Sequence, residues 1–512
     1  MSNDEATQFR QLQKQLPRVW EQFQNDPSYE HTSVIVPSMS VNQEELAKVT
    51  GAAFYEERLM FALIRLRNPN ARLVYVTSNP VHPDVVDYYL QLLDSVSASH
   101  ARKRLHMVSV FDSSLRPLSE KILERPHLLK RLRGFIGDSK HAYLTTYNST
   151  ALERRLALSL GIPMNGLDPA LLHFGTKSGN RKIFAEAGIL YPAGLEDLHT
   201  EDDIVAGLSQ LREMRPGIKR AVVKLNEGFG GEGNAVFRYP ENNNGSSIHE
   251  ALQQLSWLSG NETYKNFLHK FDAMGGIVEE LIEADVTRSP SVQMRILPNG
   301  EAKLVSSHEQ ILGGSTGQAY VGCRFPANDD YRQLLHTQAY KVAEVLSRHG
   351  IVGRFAIDFL TSRKDDEWMA HAIEINLRMG GTTPPFHALE FLTGGELDAG
   401  SGNFVAPNGE VKYYSATDNL KSPAYRGLLP EDLFEIVWHH DLGFKHATGT
   451  GVLFYMIGAL SQYGKLGMTC IGNSPEQAEE LFANTVRVLD ESAAGDAHGT
   501  PAPMSDRYIA IE

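Results

Sequence analysis

Cysteine is nearly absent from this chain, which has only Cys323 and Cys470 among its 512 residues. Two thiols so far apart in sequence cannot build a disulfide framework, and no CxxC pair is present, so the composition favours a reducing compartment. Long apolar runs are also missing, because the longest one, from Gly451 to Leu460, is about half of the roughly 20 residues that a membrane-spanning helix needs. The polar N-terminus lacks the apolar core of a signal peptide. We therefore expect a soluble, cytoplasmic protein that does not enter a membrane.

An excess of basic residues is lacking as well. The chain has 49 Lys plus Arg against 62 Asp plus Glu, which gives a formal charge of −13. Proteins that bind nucleic acids or anionic membranes generally need a basic face, so neither kind of partner is expected here. The 42% hydrophobic and 22% charged residues are ordinary for a globular protein, and the length predicts two to four domains.

The N-terminal part of the chain, about 170 residues, alternates short β-rich runs with helical patterns, which predicts a parallel α/β sheet. The predicted strands are Ser33–Val36, Leu73–Thr77, Met107–Phe111 and Ala142–Thr146, and the helical patterns include Gln43–Leu66 and Pro83–Leu93. After Gly400 the sequence looks like an appended α+β module. The last residues are small and polar and contain proline, which is typical of a mobile tail.

A glycine-rich loop follows the predicted strand Ala221–Leu225 and reads Gly228-Phe229-Gly230-Gly231-Glu232-Gly233. A dinucleotide fingerprint must open a helix, whereas this loop leads into another predicted strand, Ala235–Tyr239. The loop is therefore predicted to close a hairpin and to fold over a triphosphate through its backbone N–H groups. A hairpin tip without a ligand is the alternative. Lys224, just before the loop, is predicted to contact phosphate, unless it only extends to the surface at a strand edge.

Two later runs, Phe355–Leu360 and Met369–Ile375, are predicted to be neighbouring antiparallel strands that carry acids. Strand alternation places Glu374, Asn376 and Arg378 on one face, which Asp358 can reach from the adjacent strand. Two carboxylates and an amide oxygen are hard ligands that suit Mg²⁺. Arg378 adds a fixed fork for a phosphate group. The alternative is an exposed sheet face with a routine ion pair.

In this order, these elements resemble the ATP-grasp superfamily over roughly residues 175–395, and the closing Asp…Glu-x-Asn-x-Arg pattern is the most specific part. Ser307–Gly314, Thr448–Gly472 and the N-terminal α/β domain resemble more narrowly the peptide-ligase family typified by the pheganomycin ligase. The resemblance implies an α/β and α+β multidomain chain. Its parts would be a Rossmann-like pre-ATP-grasp domain (1–174), a small lobe with the glycine flap (175–276), a large lobe with the metal site (277–404), a C-terminal α+β domain (405–490) and a flexible tail (491–512).

The resemblance also implies a role for each matched residue. Lys177 would reach the α-phosphate, and Lys224 would be shared between phosphate and adenine N7. Glu279 would accept the adenine amino group, with the adjacent Glu280 left open as the alternative. The residues implied around the nucleotide are Lys177, Lys224, Gly228, Phe229, Gly230, Gly231, Gly233, Asn234, Glu279, Glu280, Leu281, Ile282 and Glu283, with Asp285 as an alternative for the ribose. Asp358, Glu374 and Asn376 would hold two Mg²⁺ ions, with Mn²⁺ as an alternative, and Arg378 would steady the transition state.

The implied reaction is ATP-dependent ligation of a carboxylate to the amine of an amino acid or peptide, through an acyl phosphate and with release of ADP and phosphate. Arg288, Arg295, His308 and Gly314 are candidate substrate residues, although solvated arginines and a structural histidine are the alternatives. No general base can be singled out. The other functions left open are an ATP-grasp kinase and a non-catalytic ATP-binding regulator, and a homodimer is left open too.

Overall fold

The computed structural model of the chain describes residues 3–94, 96–228, 233–241, 245–258, 262–313 and 319–494. Within these ranges the strands form three sheets, which follow one another along the chain. Among the helices described, none is both long and apolar enough to cross a membrane.

The first sheet is parallel, with its strands in the order β3-β2-β1-β4. Its strands are β1 His31–Val36, β2 Ala71–Thr77, β3 Leu105–Ser109 and β4 Ala142–Thr146. The helices of this part are α1 Asn3–Gln13, α2 Leu16–Asn25, α3 Gln43–Ala47, α4 Pro83–Gln91, α5 Ala98–Lys103, α6 Leu118–Leu123, α7 Pro126–Ile136 and α8 Ala151–Leu160. Parallel strands need crossover connections, which these helices supply. The predicted parallel α/β sheet is confirmed.

The continuous helix predicted over Gln43–Leu66 is wrong. The α-helix α3 ends at Ala47, Gly51 adopts the left-handed region with φ 74°, and a 3₁₀ helix then runs from Ala52 to Arg67. A positive φ costs glycine little, so the chain turns there and interrupts the helix. The 3₁₀ segment buries even Glu56, Glu57 and Arg58, so its apolar residues do not mark a single helical face.

The second sheet is antiparallel, with the order β5-β9-β6-β7-β8. Its strands are β5 Gly194–Leu198, β6 Arg220–Leu225, β7 Asn234–Arg238, β8 Ser256–Trp257 and β9 Gly276–Glu280, accompanied by α9 Lys177–Ala187, α10 Glu201–Met214, α11 Gly245–Leu252 and α12 Tyr264–Met274. Helix α11 ends at Leu252, and the short strand β8 follows it. One face of the sheet packs against α10 and α12 around Ala221, Val223 and Val278. The opposite face is left for polar groups.

The third sheet is the largest, with β14 bordered by β11 on one side and β15 on the other. Its strands are β10 Val286–Arg288, β11 Pro290–Ile296, β12 Ala302–Gly313, β13 Ala319–Phe325, β14 Gly353–Lys364, β15 Glu367–Asn376, β16 Glu396–Leu397, β17 Phe404–Val405, β18 Val411–Lys421, β19 Gly451–Tyr455 and β20 Lys465–Gly472. The helices of this part are α13 Asp329–Arg348, α14 Thr383–Thr393, α15 Pro430–His439, α16 Leu460–Tyr463 and α17 Pro475–Ala494.

The C-terminal strands do not form a sheet of their own. Strand β18 pairs with β13 on one side and with β20 on the other, so residues 411–472 continue the sheet that also contains β14 and β15. The sequence suggested an appended module here, whereas hydrogen bonds join it to the preceding part. The domain boundaries given above stay predictions.

Candidate active site

The predicted carboxylate strands lie side by side. Strands β14 and β15 are antiparallel, with Asp358 opposite Glu374 and Ala356 opposite Asn376. The Asn376 side-chain amide donates to Asp358 Oδ2 at 2.9 Å, and Gln310 Nε2 donates to Asp358 Oδ1 at 2.7 Å. The predicted antiparallel pairing is therefore confirmed, and it places three oxygen-bearing side chains within reach of one another.

The two carboxylates differ in their electrostatic surroundings. Burial, together with the charge of Glu374, raises the pKa of Asp358 to about 6. Burial also acts to raise the pKa of Glu374, but Lys177, Arg378 and Lys224 outweigh it, and the pKa lies below its ordinary value. Negative charge at Asp358 is therefore poorly compensated by the protein. Two carboxylates and an amide oxygen in this state form a donor set that fits a hard divalent cation.

Lys177 is the first residue of α9 and contacts the acid cluster directly. Its Nζ lies 2.5 Å from Glu374 Oε1. The helix begins at this residue because the hydroxyl of Thr176 accepts from Gly179 N at 3.0 Å. A side chain at position 179 would place its Cβ 2.0 Å from the backbone oxygen of His173, so glycine is required there. The helix start therefore fixes where the lysine points.

Asn226, which the sequence analysis missed, joins this helix to the second sheet. Its backbone oxygen accepts from Lys177 N at 3.0 Å, and its side-chain oxygen accepts from Ser178 N at 2.9 Å. On the other side of α9, Asn180 Oδ1 accepts from Ile375 N at 2.7 Å. The helix is thus tied to both sheets. In the sequence, Asn226 could have been noticed as a polar amide two residues after Lys224.

Lys224 and Glu279 share one face of the second sheet. In the β6–β9 pair, Val222 lies opposite Glu279 and Lys224 lies opposite Ile277, and side chains of opposite residues lie on the same face of an antiparallel pair. Lys224 forms an ion pair with Glu279, whose other oxygen is 3.6 Å from Arg181 Nη1. This face is the one that α10 and α12 leave uncovered.

Glu280 points to the opposite side, because successive strand residues alternate. Its carboxylate accepts from Ala193 N at 2.8 Å and lies 3.1 Å from Arg215 Nε. The geometry therefore favours Glu279 over Glu280 as the acid that faces the predicted nucleotide position.

The remaining residues predicted around the nucleotide are only partly described. Phe229, Gly230 and Gly231 lie outside the described residues. Gly233 follows the loop with φ 75°, and its oxygen accepts from Leu225 N at 2.9 Å, while Gly228 and Asn234 flank the gap.

Strand β9 ends at Glu280, before the predicted nucleotide residues Leu281 and Ile282. Leu281 and Ile282 therefore continue beyond the strand, with Leu281 N donating to Arg220 O at 3.5 Å. Glu283 forms an ion pair with Arg220 near the surface.

The predicted substrate residues that the structure describes, Arg288, Arg295 and His308, do not line one cavity together. Arg288 is exposed and donates to the oxygen of Thr287. His308 is buried against Tyr414, and burial lowers the pKa of its imidazole to about 3, so it is neutral. Gly314 lies outside the described residues. Of the three that the structure describes, Arg295 alone lines the cavity at the end of β15.

A cavity of about 410 Å³ opens where the carboxylate strand β15 ends. Leu377, Arg378 and Met379 form part of its wall, and the backbone of Met379 is fixed by a 3.1 Å hydrogen bond to Tyr147 O. Other wall residues that the sequence analysis missed are Trp20, Phe23, Arg65, Tyr143, Arg354 and Glu390. Arg354 could have been predicted from the sequence, because it lies four residues before Asp358 on the same strand face.

Over part of its length the chain is similar to ATP-grasp proteins. A family model described as "IQCH-like, ATP-grasp" matches residues 169–239 and 246–400, and one described as "PGM1 C-terminal domain" matches residues 432–485. The resemblance to the ATP-grasp superfamily is therefore confirmed.

The curated relatives include an enzyme of similar length. The L-propargylglycine–L-glutamate ligase of Streptantibioticus cattleyicolor is 29% identical over 88% of this chain and 92% of its own length. The IQ motif-containing protein H of Danio rerio is 23% identical over 91% of this chain, which spans 49% of that protein. Among solved structures, the biotin carboxylase domain of the Hydrogenobacter thermophilus 2-oxoglutarate carboxylase superposes with a TM-score of 0.52 and 12% identity, over 88% of each chain. That likeness shows the fold.

Changing Glu279 to glutamine should weaken ATP binding about 10- to 100-fold, whereas changing Glu280 should have little effect. The reason is that only Glu279 shares a face with Lys224, and a hydrogen bond that involves a charged group contributes about 1.5–3 kcal/mol. Calorimetric titration of both variants with ATP measures the difference. Equal losses in the two variants, or a larger loss for Glu280→Gln, would contradict the assignment.

Proposed function

We propose that the protein is an ATP-dependent carboxylate–amine ligase that activates its substrate as an acyl phosphate and joins an amino-acid-like carboxylate to the amine of an amino acid or peptide. The observation that carries this proposal is the position of Asp358, Glu374 and Asn376 on paired strands, with Lys177 bound to the cluster and Arg378 in the wall of the cavity. A phosphate-handling site therefore adjoins a space large enough for a small organic substrate.

Two lysines, Lys177 and Lys224, support the proposed binding of ATP. Lys177 forms an ion pair with Glu374, and Lys224 forms one with Glu279. Both ammonium groups are nearly buried, so they are held in place for phosphate groups. We infer that Lys177 and Lys224 contact the phosphates of ATP, and that Glu279 accepts from the adenine amino group.

The metal half rests on the oxygen donors described above. Asp358, Glu374 and Asn376 would hold Mg²⁺, with two ions and replacement by Mn²⁺ as further parts of the proposal. When bound, the metal would neutralise charge on the β- and γ-phosphates. Arg378 then stabilises the phosphoryl group during transfer through its planar guanidinium. Most of the catalysis comes from positioning and charge, as in phosphoryl transfer generally.

The proposed reaction has two steps, phosphoryl transfer and amide formation. A carboxylate oxygen forms a bond to the γ-phosphorus while the bond to the β-phosphate oxygen breaks, and ADP leaves. The amine nitrogen then bonds to the acyl carbon, inorganic phosphate leaves with the carbon–oxygen electron pair, and the nitrogen loses a proton to solvent or to a base. We expect substrates that fill the cavity to limit the access of bulk water to the acyl phosphate and so to slow its hydrolysis.

A substrate-matrix assay tests the proposal. ADP release is measured with MgATP and pairs of L-amino acids, including L-propargylglycine with L-glutamate, and products are identified by mass. We expect ADP release that needs both substrates and yields one amide bond per ADP. A phosphorylated hydroxyl product would indicate a kinase instead, and ATP binding without turnover under every pairing would indicate a regulator.

A further inference from the structure

The cavity beside the carboxylate strands is strongly basic. Arg65 reaches it from the 3₁₀ segment, Arg295 from β11 and Arg354 from β14, while Arg378 lies at the end of β15. Arg295 and Arg354 are opposite each other in the β11–β14 pair. The 3₁₀ segment and the third sheet thus contribute arginines to one cavity.

Three of these arginines lack a carboxylate partner. Within the residues that the structure describes, no acid lies within salt-bridge distance of Arg65, Arg295 or Arg354. Arg65 donates to the hydroxyls of Ser33 and Thr145, and the guanidinium of Arg295 lies 4.5 Å from the ring centre of Trp20. Nη1 of Arg354 is buried without a hydrogen-bond partner. A buried charge without a partner is costly, and an anionic ligand removes that cost.

The net charge of the residues that line the cavity indicates how many negative charges a bound ligand should carry. Asp26 is exposed, and Arg378 also faces Asp358 and Glu374. Among the described residues of the lining, Arg65, Arg295 and Arg354 therefore share one acid, Glu390, so two positive charges remain uncompensated. Glu390 is already bound to His387, and Asp26 accepts from Ser28. Two carboxylates on one ligand would balance the cavity.

The titration of Arg295 agrees with this excess of positive charge. Burial, together with the nearby Arg354 and Arg65, lowers the pKa of its guanidinium to about 9. A carboxylate in the cavity would oppose all of these effects, because it favours the charged form of the guanidinium.

The arginine group lies close enough to the acid cluster to hold a reacting molecule. Arg354 and Asp358 are on the same face of β14, four residues apart, or about 13 Å at the rise of a strand. Arginine side chains shorten that gap, so a single amino acid can bridge it. The aromatic rings of Trp20, Phe23 and Tyr143 form part of the remaining wall and fit the methylene groups of such a ligand.

We propose that this cavity binds the amine substrate of the ligase through two carboxylates, and that the substrate is a dicarboxylic amino acid of about the size of glutamate. That this ligand is the amine substrate rests on the proposed function, whereas the preference for a dicarboxylate rests on the residues of the cavity. A carboxylate donor would surrender one acid group to phosphorylation, but an amine substrate keeps both acids for the arginines.

Calorimetric titration of the full-length protein tests this inference without turnover. L-glutamate, L-glutamine and L-norvaline, which differ in the side-chain acid, are titrated with and without MgADP, and binding in either condition counts. We expect glutamate to bind at least about tenfold more tightly than the two neutral analogues, as expected for hydrogen bonds to charged groups. The Arg354→Met variant should lose at least that factor for glutamate, whereas Arg487→Ala, an exposed arginine on α17, should match the parent.

Thermal unfolding separates ligand binding from a structural role. Because Arg354 carries a buried group without a partner, Arg354→Met without ligand should melt at the same temperature as the parent or higher, and glutamate should no longer raise the melting temperature. A lower melting temperature, or equal binding of all three amino acids to the parent, would overturn the inference. If the binding pattern holds but no pair of substrates releases ADP, the ligase proposal fails and the dicarboxylate site stands.

Discussion

Changing Glu374 to glutamine is expected to lower the rate of ADP release by about 10²–10³-fold or more, the scale for removal of one preorganised electrostatic contact. Glu374 is placed both to bind the metal and to hold Lys177, whose Nζ lies 2.5 Å away. The glutamine side chain keeps the shape but lacks the charge for either contact. Steady-state ADP release at saturating ATP and Mg²⁺ measures the effect.

The matched control is Glu367→Gln, which lies on the same strand but is exposed at its other end. It should keep the parent rate, because its carboxylate does not face the cluster. Asp358→Asn should resemble Glu374→Gln, since the two residues are opposite each other. Activity within threefold of the parent in either cluster variant would refute the metal assignment.

Changing Asp418 to alanine is expected to lower the free energy of unfolding by about 3–5 kcal/mol, the usual cost of leaving one member of a buried ion pair alone. Asp418 Oδ2 lies 2.7 Å from Arg58 Nη2, and the two side chains are 9% and 4% exposed. Arg58 comes from the 3₁₀ segment and Asp418 from β18, so the pair joins the first part of the chain to its last sheet strands. Urea unfolding measures the change.

Asp366→Ala provides the comparison, because its ion pair with Arg363 is on the surface, where Asp366 is 92% exposed. Surface pairs contribute about 0–1 kcal/mol, so this variant should unfold almost as the parent does. The double variant Arg58→Met with Asp418→Leu should recover much of the loss, since no unpaired charge remains. A loss below about 1 kcal/mol in Asp418→Ala would show that water reaches Arg58.

The parts of the site that lie on one strand pair were predictable from the sequence. Alternation alone placed Glu374 and Asn376 on one face, and the short charged connection to Asp358 predicted the antiparallel neighbour. The first sheet was predictable for a similar reason, because its β-rich runs alternate with helical patterns.

The cavity was not predictable, because its wall comes from distant parts of the chain. Trp20 and Phe23 belong to a helix near the N-terminus that the sequence analysis did not identify, and they meet Arg295 only in three dimensions. Arg58 and Asp418 are 360 residues apart. The hydrophobic periodicity of a sequence indicates which face of a helix or strand is buried, but it does not indicate which other helix or strand covers that face.

The junction between β13 and β18 limits how such a protein can change by recombination. Because residues 411–472 complete the sheet that also contains the carboxylate strands, this C-terminal segment is not an independently exchangeable module. A chimera that exchanges it between relatives must also preserve the backbone pairing at Cys323–Phe325. New substrate preferences are therefore more accessible through substitutions in the cavity wall than through shuffling of whole segments.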